Sequence, residues 1–158
     1  MNYIYSEPKN IPINNEDIEL IQTNNSIPEF SLDGLIKKCK VVSIYDGDTI
    51  KVVFKHFNTL NKWTIRMTGY DSPEIRPRLN IENRTEKIEN AKKSRDYLKN
   101  LIMNENQLVY LKCGKFDKYG RLLGYIYLND PTFTQTSVND IMIENNMGYR
   151  YNGGAKKI

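Results

Sequence analysis

Between Cys39 and Thr68 the chain sets three runs of β-type sequence almost end to end. Cys39-Lys40-Val41-Val42-Ser43-Ile44-Tyr45 is β-branched and partly alternating, and Thr49 to Phe57 repeats that character. Trp63 to Thr68 carries Trp63, Ile65 and Met67 on one face and Thr64, Arg66 and Thr68 on the other. The links are Asp46-Gly47-Asp48, a strong turn signal, and a hairpin loop expected at Asn58-Thr59-Leu60-Asn61. Parallel neighbours need a crossover of about a dozen residues or more, so links this short dictate antiparallel hairpins.

Pro73 cannot continue a ladder, and Gly69-Tyr70-Asp71-Ser72-Pro73-Glu74 ends the third strand. A helix is expected from about Thr85 to Met103, with Ile88, Ala91, Leu98, Leu101 and Ile102 as its apolar stripe. Gln107 to Cys113 and Arg121 to Leu128 read as two more strands around the basic loop Gly114 to Gly120. Ser137 with Asp140 three residues on marks the start of a second helix, with Val138, Ile141, Met142 and Asn145 inward and Asn146 to Gly148 ending it. Five short antiparallel strands with a helix after the third predict an α+β chain built as an OB-type barrel with two helices.

Residues 1–38 differ from the rest in being rich in Asn, Pro, Ser and acidic side chains, with only short apolar pieces around Leu20, Ile21 and Phe30. Such a segment cannot bury a core of its own, so it is expected to be an arm, loosely ordered or laid over a domain spanning residues 39–158. With 158 residues there is room for little else. A net charge of +4 and a pI near 8.9 suit a polyanionic partner without requiring one. No apolar run is long enough to span a bilayer, and the N-terminus has no secretory pattern, which points to an intracellular compartment. Cys39 and Cys113 are too few for a disulfide framework and are expected to be reduced, part-buried thiols.

The residues that suggest chemistry fall where strands meet turns. A hard divalent cation takes oxygen ligands, and Asp48, Asp71 and the carbonyl of Ser72 can supply three, with water completing the shell. Glu74 follows closely enough to orient or deprotonate a water beside the metal. Arg66 precedes Asp71 on the third strand and Arg121 ends the basic loop, and two guanidinium forks can grip one phosphate. Together they suggest phosphoryl-transfer chemistry, in which charge builds on phosphorus oxygens as a P–O bond breaks. Each piece alone is also an ordinary turn or surface charge, so the weight rests on their order and spacing. His56, the only histidine, reads as structural, and Trp63 as core.

Residues 39–151 resemble the staphylococcal nuclease (thermonuclease-like) family. The resemblance rests on Asp46-Gly47-Asp48-Thr49, then Arg66-x4-Asp71-Ser72-Pro73-Glu74, then Asp117-Lys118-Tyr119-Gly120-Arg121, extended by Leu123-Gly124-Tyr125-Ile126-Tyr127 and Val138-Asn139. It implies a calcium-dependent nuclease. Asp48, Asp71 and the Ser72 carbonyl would ligate Ca2+, and Asp46 would support them from behind. Glu74 would be the general base, Arg66 and Arg121 would clamp the scissile phosphate, and Lys118 and Tyr119 would contact a terminal phosphate. Tyr149 and Tyr151 are the candidates for stacking on the nucleotide. DNA and RNA would both be cut, preferably single-stranded or frayed, by in-line attack of water that leaves 3′-phosphate ends. Ser72 stands where threonine is more usual. The family's third, C-terminal helix is expected to be missing, its flank a place the arm could cover. The competing reading is a silent module on the same fold that binds nucleic acid or protein.

Overall fold

The first strand begins earlier than its β-branched run suggests. In a computed structural model, which describes residues 11–151 and 153, the chain divides into two compact units, Met1–Phe30 and Ser31–Ile158. The division falls after Phe30 rather than after Lys38 because the intervening residues are built into the barrel. Leu32 is fully buried in the core, Gly34 donates to the Cys113 carbonyl at 2.9 Å, and Cys113 donates to that of Leu35 at 2.8 Å. The first unit contains helix α1 (Asn15–Gln22), which the polar composition hid. Its signal was the capping box, in which the Asn14 side chain accepts from Asp17 N–H and the Asp17 carboxylate accepts from Asn14 N–H. None of its residues is buried.

The second unit is a closed barrel of β1 (Ile36–Ile44), β2 (Thr49–His56), β3 (Thr59–Met67), β5 (Leu108–Phe116) and β6 (Leu122–Tyr127), in the order β1-β2-β3-β6-β5 with β5 paired back to β1. Helix α2 (Arg84–Ile102) connects β3's end of the barrel to β5, after the two-residue strand β4 (Tyr70–Asp71); α3 (Val138–Glu144) follows β6 and leads to β7 (Tyr149–Arg150), which pairs with β4. This is the expected OB-type α+β barrel, with two corrections. One pairing is parallel, β3 with β6 from Ile65↔Leu122 to Met67↔Gly124, because the helix and β5 intervene and allow the return in the same direction. The β2–β3 turn is only Phe57-Asn58, both left-handed at φ 45° and 61°, so Thr59 to Asn61 belong to the strand.

Ile50, Val52, Ile65, Met67, Leu111, Leu122 and Ile126 fill the barrel, with Leu98 and Ile102 of α2 and Val138 and Met142 of α3 in the same cluster. The inward face of α3 carries Asn139 rather than the expected Asn145, which is exposed. Asn139 accepts from Ile126 N–H at 3.0 Å and donates to the carbonyls of Thr68 at 2.8 Å and Gly124 at 3.1 Å. A fully satisfied buried amide thus ties the ends of β3 and β6 where a parallel pair is shortest. No helix follows α3 among the described residues. Residues 154–158 lie outside them, and with them part of the expectation for the C-terminus. No helix of the described residues is long and apolar enough to cross a membrane.

Candidate active site

The turn from β1 to β2 is fixed before any ligand is considered. Asp48 N–H donates to the Asp46 carboxylate at 3.2 Å, and the Tyr70 hydroxyl donates to the Gly47 carbonyl at 2.6 Å. Gly47 lies so close to α2 and β4 that a Cβ there would meet Ser94 Oγ and come within 2.7 Å of Ser72 Cβ. Only glycine permits this approach, which presses the Asp-Gly-Asp turn against the β4 end that carries Asp71. On the other side, a Cβ on Gly148 would come within 2.8 Å of the Asp71 carbonyl, so β7 also closes tightly on this end.

Asp48 and Asp71 are buried, at 4% and 1% exposed. Asp48 accepts from Ser72 N–H at 2.6 Å and from Thr49 Oγ1 at 3.0 Å. Both carboxylates face one cation, the Arg66 guanidinium, 3.3 Å from Asp48 and in direct contact with Asp71. The same guanidinium donates to the carbonyls of Met67 at 2.8 Å and Tyr70 at 3.0 Å. In this arrangement Arg66 therefore serves the acids, and no terminal nitrogen is left without a protein partner. Burial and the neighbouring Asp48 carboxylate push Asp46 up to about 6. Three acids and one arginine leave negative charge uncompensated.

That donor set fits a hard cation. Two buried carboxylates converge on one cationic centre, and the Ser72 carbonyl accepts no backbone hydrogen bond among the described residues. A third acidic ligand does not join them: no group of three His, Cys, Asp or Glu side chains among the described residues has metal-binding spacing. The cradle is thus one of two carboxylates plus neutral oxygens.

A cleft of about 540 Å3 opens over these acids. Asp46, Asp48, Arg66, Asp71 and Glu74 line it together with Lys118, Tyr119, Arg121 and Tyr151. Of the residues expected at the site, Ser72 and Tyr149 are not in that lining, and each touches an acid instead: Ser72 through its N–H to Asp48, Tyr149 through its hydroxyl to Asp71 at 3.5 Å. Glu74 is exposed.

The loop between β5 and β6 is organised by Asp117, whose structural part was not read from the sequence. Its carboxylate accepts from the N–H groups of Tyr119 and Arg121, both at 2.9 Å, and from Arg121 Nε at 2.8 Å. Burial pushes the Asp117 carboxyl upward, but these hydrogen bonds outweigh it and hold it below the usual carboxylate value. The terminal nitrogens of Arg121 have no hydrogen-bond partner among the described residues and so remain available to a ligand. The Tyr119 ring has Lys118 Nζ 5.1 Å from its centroid and the Arg121 guanidinium at 5.6 Å. An Asp followed three residues later by Gly is the signal that could have revealed this turn.

Fold and site define a class: an OB-type barrel bearing an acid cradle and a cationic loop on one cleft. Residues 64–156 match the family model described as staphylococcal nuclease homologue. The chain is 34% identical over 98 residues to a thermonuclease of Staphylococcus hyicus, covering 61% of this chain and 52% of that one. It is 31% identical over 104 residues to an uncharacterised protein of Methanocaldococcus jannaschii, covering 58% and 48%. A third relative, an uncharacterised protein of Bacillus anthracis, is 31% identical over 112 residues, covering 70% and 46%. The chain spans about half the length of these relatives. It belongs to the staphylococcal nuclease homologue family. Asp46 and Asp48 precede the matched residues, so their membership of the site rests on the geometry above.

Proposed function

We propose that the protein is a calcium-dependent nuclease that hydrolyses phosphodiester bonds of DNA and RNA and leaves 3′-phosphate ends. The observation that carries the reading is the convergence of buried Asp48 and Asp71 on one cationic centre, open to the cleft that holds Glu74 and Arg121. Asp48, Asp71 and the Ser72 carbonyl would hold the ion, with Asp46 behind them. When bound, calcium supplies positive charge that polarises a phosphoryl oxygen and offsets the charge developing there. Arg121 turns its free terminal nitrogens to the non-bridging oxygens, oriented by Asp117. Arg66 keeps both acids in place and would be the second guanidinium beside the phosphate. Glu74 accepts a proton from the attacking water as the new P–O bond forms in line with the departing 5′-oxygen, which leaves with a proton from solvent. Lys118, Tyr119 and Tyr151 bind the nucleotide around that phosphate. Surrounding one phosphate on several sides favours single-stranded or frayed substrate.

The test is cleavage of an end-labelled single-stranded DNA in calcium, in EGTA, and by Asp48→Ala with Glu74→Gln in calcium. Cleavage by the wild-type protein in calcium alone, with 3′-phosphate ends, is the expected result. Magnesium should substitute poorly, because it demands tighter octahedral geometry and holds its waters. An intact strand in all cases, from folded protein, would replace this reading with the binding module.

A further inference from the structure

Tyr45 and Arg76 line the cleft and have no part in that chemistry. Tyr45 ends the β1 side of the Asp46-Gly47 turn, and it lines the cleft while 54% exposed. Its backbone is fixed, since Tyr45 N–H donates to the Thr49 carbonyl at 2.9 Å. Its ring has no aromatic or cation partner and its hydroxyl no hydrogen bond among the described residues. Tyr119 already meets Lys118 and Arg121 at its ring, whereas the ring of Tyr45 meets no such group among the described residues. Arg76 lies in the loop between β4 and α2, is exposed, and lines the same cleft. It has no ion pair among the described residues, although Asp46 and Glu74 line that cleft too.

A free aromatic face on an anchored backbone and an unpaired guanidinium, in the same cleft as the acids and Arg121, match the repeating chemistry of a single strand. Each nucleotide offers one π-face and one phosphate. The geometry points to a second nucleotide subsite, in which Tyr45 stacks on a base and Arg76 pairs with the phosphate next to the one at Arg121. The ligand class is a single strand of several nucleotides, since a paired base presents no free face to the ring. The subsite rests on the nuclease reading for its neighbour in the cleft, but its binding can be read without cleavage.

The experiment uses the full chain and a fluorescein-labelled dodecathymidylate in EGTA, followed by anisotropy. Tyr45→Ala is expected to raise Kd about 5- to 150-fold, the range for losing one base–aromatic stack, while Tyr45→Phe stays near wild type. Arg76→Met is expected to reduce the slope of log K against log salt by about 0.7, the value for one phosphate contact on a single strand. Lys92→Ala takes the same charge from the exposed face of α2 and serves as the control that changes neither. With a labelled dinucleotide the Tyr45→Ala loss shrinks, because the strand no longer reaches both subsites. Equal dodecamer affinity for wild type, Tyr45→Ala and Arg76→Met overturns the subsite even if the wild-type protein cleaves in calcium, as does a wild-type protein that binds no strand. Loss of affinity in the variants of a protein that does not cleave in calcium keeps the subsite and removes the nuclease reading.

Discussion

The two sides of the cleft are built on opposite principles. On the acid side, Asp48 and Asp71 are buried and fixed by Ser72 N–H, Thr49 and Arg66, and Gly47 and Gly148 let neighbouring backbone close on them. On the cationic side, Lys118 and Tyr119 are exposed, and apart from two backbone hydrogen bonds the loop is organised by a single carboxylate, Asp117. Carboxylates held close together in a buried place repel one another, which costs folding energy and needs a scaffold. A phosphate grip can be assembled from long side chains around a turn, with water satisfying whatever is not used. The acid side should therefore couple activity to stability, and the cationic side should separate them.

Asp71→Ala makes the largest break. It leaves Arg66, whose side chain is 12% exposed, with half of its charge partners gone. Arg66 keeps Asp48 and two carbonyls, so the loss stays below the cost of a fully unpaired buried charge, about 3–5 kcal/mol, but the urea midpoint should still fall and cleavage should vanish. An unchanged midpoint would mean that the acid side is not held together by this pair. Glu74, exposed in the cleft, stands outside that buried network, and Glu74→Gln should separate activity from stability. Turnover should drop by about 10²–10⁴-fold with the urea midpoint intact. Turnover at the wild-type level would take Glu74 out of the mechanism.

Asp117→Ala examines the other side, with a smaller effect. The two N–H groups it releases can reach water, so stability should fall by only about 1 kcal/mol. Arg121 loses its orientation, and kcat/KM should fall about 10- to 100-fold. Added to Arg121→Ala, the substitution should cost little more, because both act through one guanidinium. Full additivity would show that Asp117 does something other than position Arg121. The sign with pH follows from its lowered carboxyl. Its stabilisation is present above the ordinary carboxylate value near about 4 and is lost as pH falls through the lower folded value. Asp117→Asn should flatten that acid limb.

The same division explains what could be read from the sequence. The barrel was legible because alternation in Thr49–Phe57 and Trp63–Thr68, and the turns between them, are local signals. Its parallel β3–β6 pairing was not, because direction of pairing is set by what α2 and β5 do between the strands. Motif spacing placed Asp48, Asp71, Glu74 and Arg121 on one cleft. It could not show that Arg66 faces the acids, since that depends on carbonyls of Met67 and Tyr70 presented by the β3–β4 turn. Asn139 escaped for a similar reason: its three partners lie on β6 and at the end of β3, and nothing in Ser137 to Glu144 announces them. Tyr45 and Arg76 sit where composition alone reads as ordinary surface.

The smallest effect concerns the seam between β5 and β1, the strand that leads into the Asp46–Asp48 turn. Cys39 on β1 and Cys113 on β5 are both buried, and these strands close the barrel. Burial, with a lesser contribution from Cys113, pushes Cys39 up to about 12. Burial outweighs the nearby Lys37 and pushes Cys113 up to about 11. Both thiols are therefore protonated and shielded at neutral pH, and neither should react with DTNB until the barrel opens. Each raised value contributes stability that is complete below the ordinary thiol range and is lost as pH rises toward the folded value. The urea midpoint should be level from pH 7 to 8 and decline above about pH 9, and Cys39→Ser should soften that decline. Labelling of native protein within minutes at pH 8 would mean that the β1–β5 seam opens readily. The carboxylates would then be no more fixed than the cationic loop, and the contrast between the two sides of the cleft would collapse.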